Sequence, residues 1–99
     1  MRLNETPINF HQDLHNAVSY LNSIGIEEIY LFGSIARNET NDSSDIDLAV
    51  RGIKPEDFFQ VYGELLMKVT HPFDLVDLNL QEEFANRLIK DDQLKRLYI

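Results

Sequence analysis

Residues 27–50, EEIYLFGSIARNETNDSSDIDLAV, constrain the fold more than any other part of the chain. Two runs of alternating apolar residues, EEIYLF and DIDLAV, read as strands. Only about a dozen residues separate them, too few for the helical crossover that parallel neighbours need. Paired strands therefore run antiparallel, and the Gly33-Ser34 end of the first lies beside Asp45 and Asp47 at the start of the second. The segment between them reads as a short helical turn running into a polar loop.

The rest of the pattern extends this frame. Phe10, Leu14, Ala17, Val18, Leu21 and Ile24 recur at helical spacing, with Gly25 placed to end the helix. Pro55 suits the first position of a second helix, whose apolar face is Phe58, Val61, Tyr62, Leu65, Leu66 and Val69. PFDLVDL reads as a third strand and tolerates Pro72 at its start. From Gln81, Phe84, Leu88 and Ile89 mark a last helix, with Leu94 and Leu97 beyond it. The order is αββαβα. A helical crossover between the second and third strands predicts a parallel, right-handed unit. The expected architecture is α/β (α+β), a small mixed sheet of three strands or slightly more, with helices on one face. At 99 residues, without a linker or repeat, residues 1–99 read as one domain.

Strand parity selects the functional candidates. Asp45 and Asp47 share one face, and Ile46, Leu48 and Val50 the other, which packs on the helices. A parallel third strand brings Asp74 to the same rim on the same face. Asp77 has the opposite parity and lies further along, so it is the weaker candidate for the third carboxylate. Three clustered carboxylates repel one another unless a cation sits among them, and Mg²⁺ takes such oxygen ligands together with water and phosphate oxygens. Two ions about 4 Å apart hold the attacking and leaving oxygens of a phosphoryl displacement. Gly33 permits close backbone approach to phosphate and Ser34 offers a hydroxyl.

Other patterns are excluded or plainer. Val50 stands where an EF-hand loop requires glycine, and no Walker A or dinucleotide glycine pattern is present. His11 and His15 lack the intervening glutamate of a metalloprotease helix and, like His71, read as surface or helix-edge residues. Tyr20, Tyr30, Tyr62 and Tyr98 read as core or rim aromatics. There is no cysteine, which closes disulfide and thiolate-metal chemistry. A net charge of −8 argues against an extended nucleic-acid footprint. No signal peptide and no membrane-length apolar run are visible, so a cytoplasmic protein without membrane contact is expected.

The combination GS-IARNETNDSS-DID, followed by the strand FDLVDL, resembles the DNA polymerase β-like nucleotidyltransferase superfamily, and within it the minimal nucleotidyltransferases (MNT). The motif region spans residues 26–78, and the flanking helices fit as well. One departure is Asn38, where many relatives have glycine after the arginine of GSxAR. The resemblance implies a palm-like fold and Mg²⁺-dependent transfer of AMP from ATP, or of another NTP's monophosphate, with Mn²⁺ as a substitute ion. Asp45, Asp47 and Asp74 would hold two ions and carry catalysis. Gly33, Ser34 and Arg37 would bind the nucleotide.

Minimal nucleotidyltransferases are paired with helical HEPN proteins, which in characterised pairs are toxic RNases modified with AMP on a tyrosine. The resemblance therefore implies the antitoxin side of such a pair. The alternatives are an antitoxin acting by occlusion without catalysis, and the catalytic half of a two-chain enzyme for a small-molecule acceptor. Self-association is compatible with either. Leu94, Leu97, Tyr98 and Ile99 exceed what a domain of 11.5 kDa must bury and are the expected partner-docking surface.

Overall fold

The computed structural model describes residues 1–41, 43–91 and 93–98. Two single 3₁₀ turns, Leu3–Glu5 and Ile8–Phe10, lead into helix α1, His11–Ser23. Strand β1 (Glu28–Phe32) runs into the one-turn helix α2 (Gly33–Ala36), and strand β2 is Ile46–Arg51. Pro55 opens a 3₁₀ turn, Pro55–Asp57, that continues directly into helix α3, Phe58–Lys68. Strand β3 (Phe73–Asp77), helix α4 (Glu82–Lys90) and strand β4 (Lys95–Arg96) complete the order.

The sheet order is β3-β2-β1-β4. β1 and β2 pair antiparallel with Phe32 opposite Asp47, and β2 and β3 pair parallel with Asp47 opposite Asp74. The expected connectivity and register are those observed. Ile46, Leu48, Val50, Leu31 and Leu75 turn to the face covered by α1 and α3, where Phe10, Leu14, Leu21 and Leu65 complete a core that excludes water. Burial of each such side chain is worth about 1.5–3 kcal/mol, which fixes β2 and β3 against slippage, because a shift of one residue would turn their whole apolar row outward.

Two features depart from expectation. First, helices cover one face only as far as α1 and α3 are concerned. α4 lies on the other face, its Ala85 packed with Ala49 and Leu78, and with Tyr30, Phe32 and Val76 around them. Second, the C-terminal residues form part of the fold. β4 pairs with β1 through Tyr30–Arg96 and Leu31–Lys95, Leu97 is buried in the main core, and Leu94 packs against the α4 cluster. The docking role expected for Leu94 and Leu97 is thereby corrected. Tyr98 remains half exposed, and Ile99 lies outside the described residues. A two-residue strand is too short to leave an alternation in the sequence. No helix among the described residues is long and apolar enough to cross a membrane.

Candidate active site at the carboxylate rim

The site is built where β1 ends and β2 and β3 begin. Phe32 and Asp47 are direct neighbours, and the chain turns at Gly33 immediately after Phe32. Gly33 has φ +69°, and a Cβ placed there would lie 2.0 Å from Asp47 Oδ2. Glycine is required twice over, by the left-handed backbone and by the carboxylate against it. The turn is anchored from below by Ile35, which is buried, and from behind by the Arg37 N–H donating to the Gly33 carbonyl at 3.1 Å. Ser34, half-buried, follows in the same turn.

Asn38 sits at φ +58° directly after Arg37. The left-handed conformation explains why glycine suits this place in relatives, and asparagine is one of the few other residues that adopts it at low cost. The turn that presents Arg37 is therefore intact despite the departure. The Arg37 side chain lies at the surface, paired with Glu39 at 3.1 Å. Its charge nevertheless reaches Asp47 and favours the ionised carboxylate there.

The polar loop before β2 folds on itself. Ser43 N–H donates to Asn41 Oδ1 and Asn41 N–H to Ser44 Oγ, both at 2.9 Å. It delivers Asp45, exposed, one residue ahead of the strand. Asp47 is half-buried, Asp74 exposed, and the two stand side by side across the parallel pair. Burial pushes the Asp47 pKa above the usual carboxylate value, and the negative charges of Asp74 and Asp45 push it further. All three carboxylates thus act on one locus. No group of three His, Cys, Asp or Glu among the described residues forms a ready-made metal cage. A cation that takes one or two carboxylates and fills its shell with phosphate oxygens and water requires no such cage.

Asp77 is elsewhere. It is buried at the far end of β3, its Oδ1 accepting from the Asn79 N–H at 2.8 Å and its Oδ2 with no partner among the described residues. Parity had separated it from Asp74, and the structure keeps them apart. The aromatic edge of the rim was not foreseen: Phe84 of α4 meets Phe32 edge-on at 5.7 Å, beside Asp47. His71 is also more than a surface residue, being hydrogen-bonded to Asp13 and packed 4.5 Å from the Phe10 ring. A signal for Asp13 existed, since it lies three residues after Phe10 and four before Ala17, on the apolar stripe of α1.

Residues 15–95 match the profile of the family described as polymerase beta, nucleotidyltransferase. One similar solved structure is described as the crystal structure of a toxin-antitoxin with AMP-PNP; it superposes with a TM-score of 0.66 at 24% identity, covering 83% of this chain and 69% of that one. At that identity the likeness speaks to the fold. No curated protein matches the chain.

Proposed function

This chain belongs to the polymerase β nucleotidyltransferase family, and on that premise we propose that it transfers AMP from ATP to a tyrosine hydroxyl of a helical HEPN-type toxin. The observation that carries the reading is the rim itself, where Asp47 and Asp74 are paired across β2 and β3 with Gly33 pressed against the Asp47 carboxylate. The neighbouring toxin-antitoxin fold supports the coarser part, a nucleotidyltransferase that works within a toxin-antitoxin pair.

The donor set is all carboxylate oxygen, which fits Mg²⁺ or Mn²⁺, and the raised Asp47 pKa marks a cluster that a cation would relieve. Asp45 and Asp47 would hold the ion next to the triphosphate, with Asp74 sharing it or a second one. When bound, the ion supplies positive charge to the phosphate oxygens. The chain's own residues do the rest. Gly33 and Ser34 seat the triphosphate, and Arg37 adds a cationic contact. Asp74 orients the acceptor hydroxyl and takes its proton as the oxygen bonds to the α-phosphorus. The bond from the α-phosphorus to the bridging oxygen breaks, and pyrophosphate leaves.

The acceptor comes from a partner, because the rim is an open sheet end. The face we assign to that partner is the outer side of α3. Phe59, Leu66 and Met67 are exposed there, and the space beside Gly63 is open. α3 ends at the turn into β3, so a helix lying on this stripe reaches the rim.

The test is the intact mass of a candidate helical HEPN-type partner, co-expressed with this chain and assayed with and without Mg-ATP. One added AMP on a tyrosine, lost in Asp45→Asn/Asp47→Asn and in Asp74→Asn but kept in Asp77→Asn, is the expected result. Neutralisation by the double variant with no mass change would replace transfer by occlusion.

A further inference from the structure

One buried carboxylate, tied into the fold by a full set of hydrogen bonds, takes no part in the chemistry described above. Asp13, 3% exposed on α1, receives donors from one short turn. The Thr70 N–H reaches Oδ1 at 3.0 Å and the His71 N–H reaches Oδ2 at 2.8 Å. The Thr70 hydroxyl lies 3.0 and 2.9 Å from the two oxygens, and His71 Nδ1 also faces Oδ2. A carboxylate only accepts, so the ring proton of His71 sits on Nδ1. A second tie runs alongside, from Asn16 Nδ2 to the Lys68 carbonyl at 3.2 Å.

Burying a carboxylate is costly even when its bonds are satisfied, and an apolar side chain at this place on the α1 stripe would be the cheaper way to close the core. What the carboxylate achieves is positional. Thr70 and His71 pass directly into Pro72, whose carbonyl accepts from the Ile46 N–H at 2.9 Å. That bond is the first rung between β2 and β3, and the next residues in register are Ile46–Phe73 and Asp47–Asp74. Thus α1 is tied to the turn, the turn to the first rung, and the rung to the two carboxylates.

We propose that Asp13 is a positioning residue for the rim: by holding the Thr70-His71 turn against α1 it keeps the start of β3, and with it Asp74, level with Asp47. Its relevance to catalysis rests on the transfer reading above, while its effect on the start of β3 does not. Misplacement of a reacting group by about 1 Å costs on the order of a hundredfold in rate. A loosened clamp therefore lowers kcat, whereas ATP seating at Gly33 and Ser34, on the β1 side of the rim, is largely spared.

The experiment compares full-length wild type with Asp13→Asn, with Thr70→Val as a milder change that leaves both turn amides in place, and with Leu21→Ala as a core variant that weakens α1 without touching the clamp. Amide hydrogen exchange and transfer kinetics are measured at a temperature where each variant is folded. In Asp13→Asn the Ile46 amide should exchange at least about tenfold faster relative to the β1–β2 amides, and kcat should fall about ten- to a hundredfold with KM for ATP changed less than about threefold. Thr70→Val should shift the same way by less, and it decides the matter if Asp13→Asn does not fold. The inference is overturned if the clamp variants open Ile46 no more than Leu21→Ala does, or if kcat stays within about twofold of wild type in the variant that folds. Should wild type itself show no nucleotide transfer, the functional reading fails and the exchange at Ile46 alone decides the clamp.

Discussion

Two carboxylates, Asp47 at the rim and Asp13 beneath the Thr70-His71 turn, show opposite solutions to the same electrostatic problem. Asp47 is half-buried among like charges, and its pKa is pushed up by burial, by Asp74 and by Asp45. Asp13 is buried more deeply, which alone would push its pKa up, yet the hydrogen bonds from Thr70 and His71 outweigh burial and hold it below the usual carboxylate value. One site is short of positive partners, and the other has all it can use. The carboxylate under the turn is saturated by the protein, and the one at the rim, to which we assign the chemistry, is left for something else to complete.

The largest effects should separate the two cleanly. Asp45→Asn/Asp47→Asn should cost about a hundred- to a thousandfold or more in transfer while raising the melting temperature of the metal-free protein by a few degrees, because repulsion is relieved. Asp13→Ala should act in the opposite direction on stability. Leaving the turn's donors unpaired should cost about 2–4 kcal/mol, or roughly 10–20 °C in a domain of this size. Calorimetric scans without metal test both, and a melting temperature lowered by the rim variant would break the contrast.

A smaller effect comes from pH, and its signs differ. Asp13 has a folded pKa below its unfolded value, so its stabilisation is present above the unfolded value and is lost as pH falls through the folded one. Asp47 has a folded pKa above its unfolded value. The metal-free protein therefore loses stability as pH rises from the unfolded value through the folded one. Denaturant midpoints between about pH 3 and 7 should show the Asp47 contribution vanish in Asp47→Asn and the acid-side loss shrink in Asp13→Asn. The smallest change tests the scaffold between them. Asn38→Gly should leave transfer unaltered and shift stability by only a few tenths of a kcal/mol, whereas Asn38→Val should cost about 1–2 kcal/mol for its left-handed backbone. Chemical denaturation distinguishes the two.

The rim was legible in the sequence because strand parity and loop length are local rules with global consequences. Alternation put Asp45 and Asp47 on one face, and the short loop forced the antiparallel pair. The crossover then forced the parallel one, and Asp74 had to arrive beside Asp47. What stayed illegible depends on contacts without a period. Asp13 meets Thr70 across 57 residues of chain, and nothing in either segment names the other. Lys95–Arg96 is too short to alternate, so Leu97 read as surplus apolar surface when it is core. α4 has clear helical spacing, but its choice of face is set by the small side chains Ala49 and Ala85, which allow it to settle on the sheet beyond the rim.

That position of α4 divides a single sheet surface into two regimes within two residues. Asp47 is reachable, whereas Ala49 on the same strand and the same face is fully covered. The part of this face open to variation is consequently one row deep. Beyond that row, a substitution that might enlarge a substrate pocket must first displace a helix. On the function proposed above, new acceptors are therefore more readily acquired by changing what docks beside the row than by remodelling the row itself. A lineage of such chains would be expected to diversify through its partners, with the rim inherited almost unaltered.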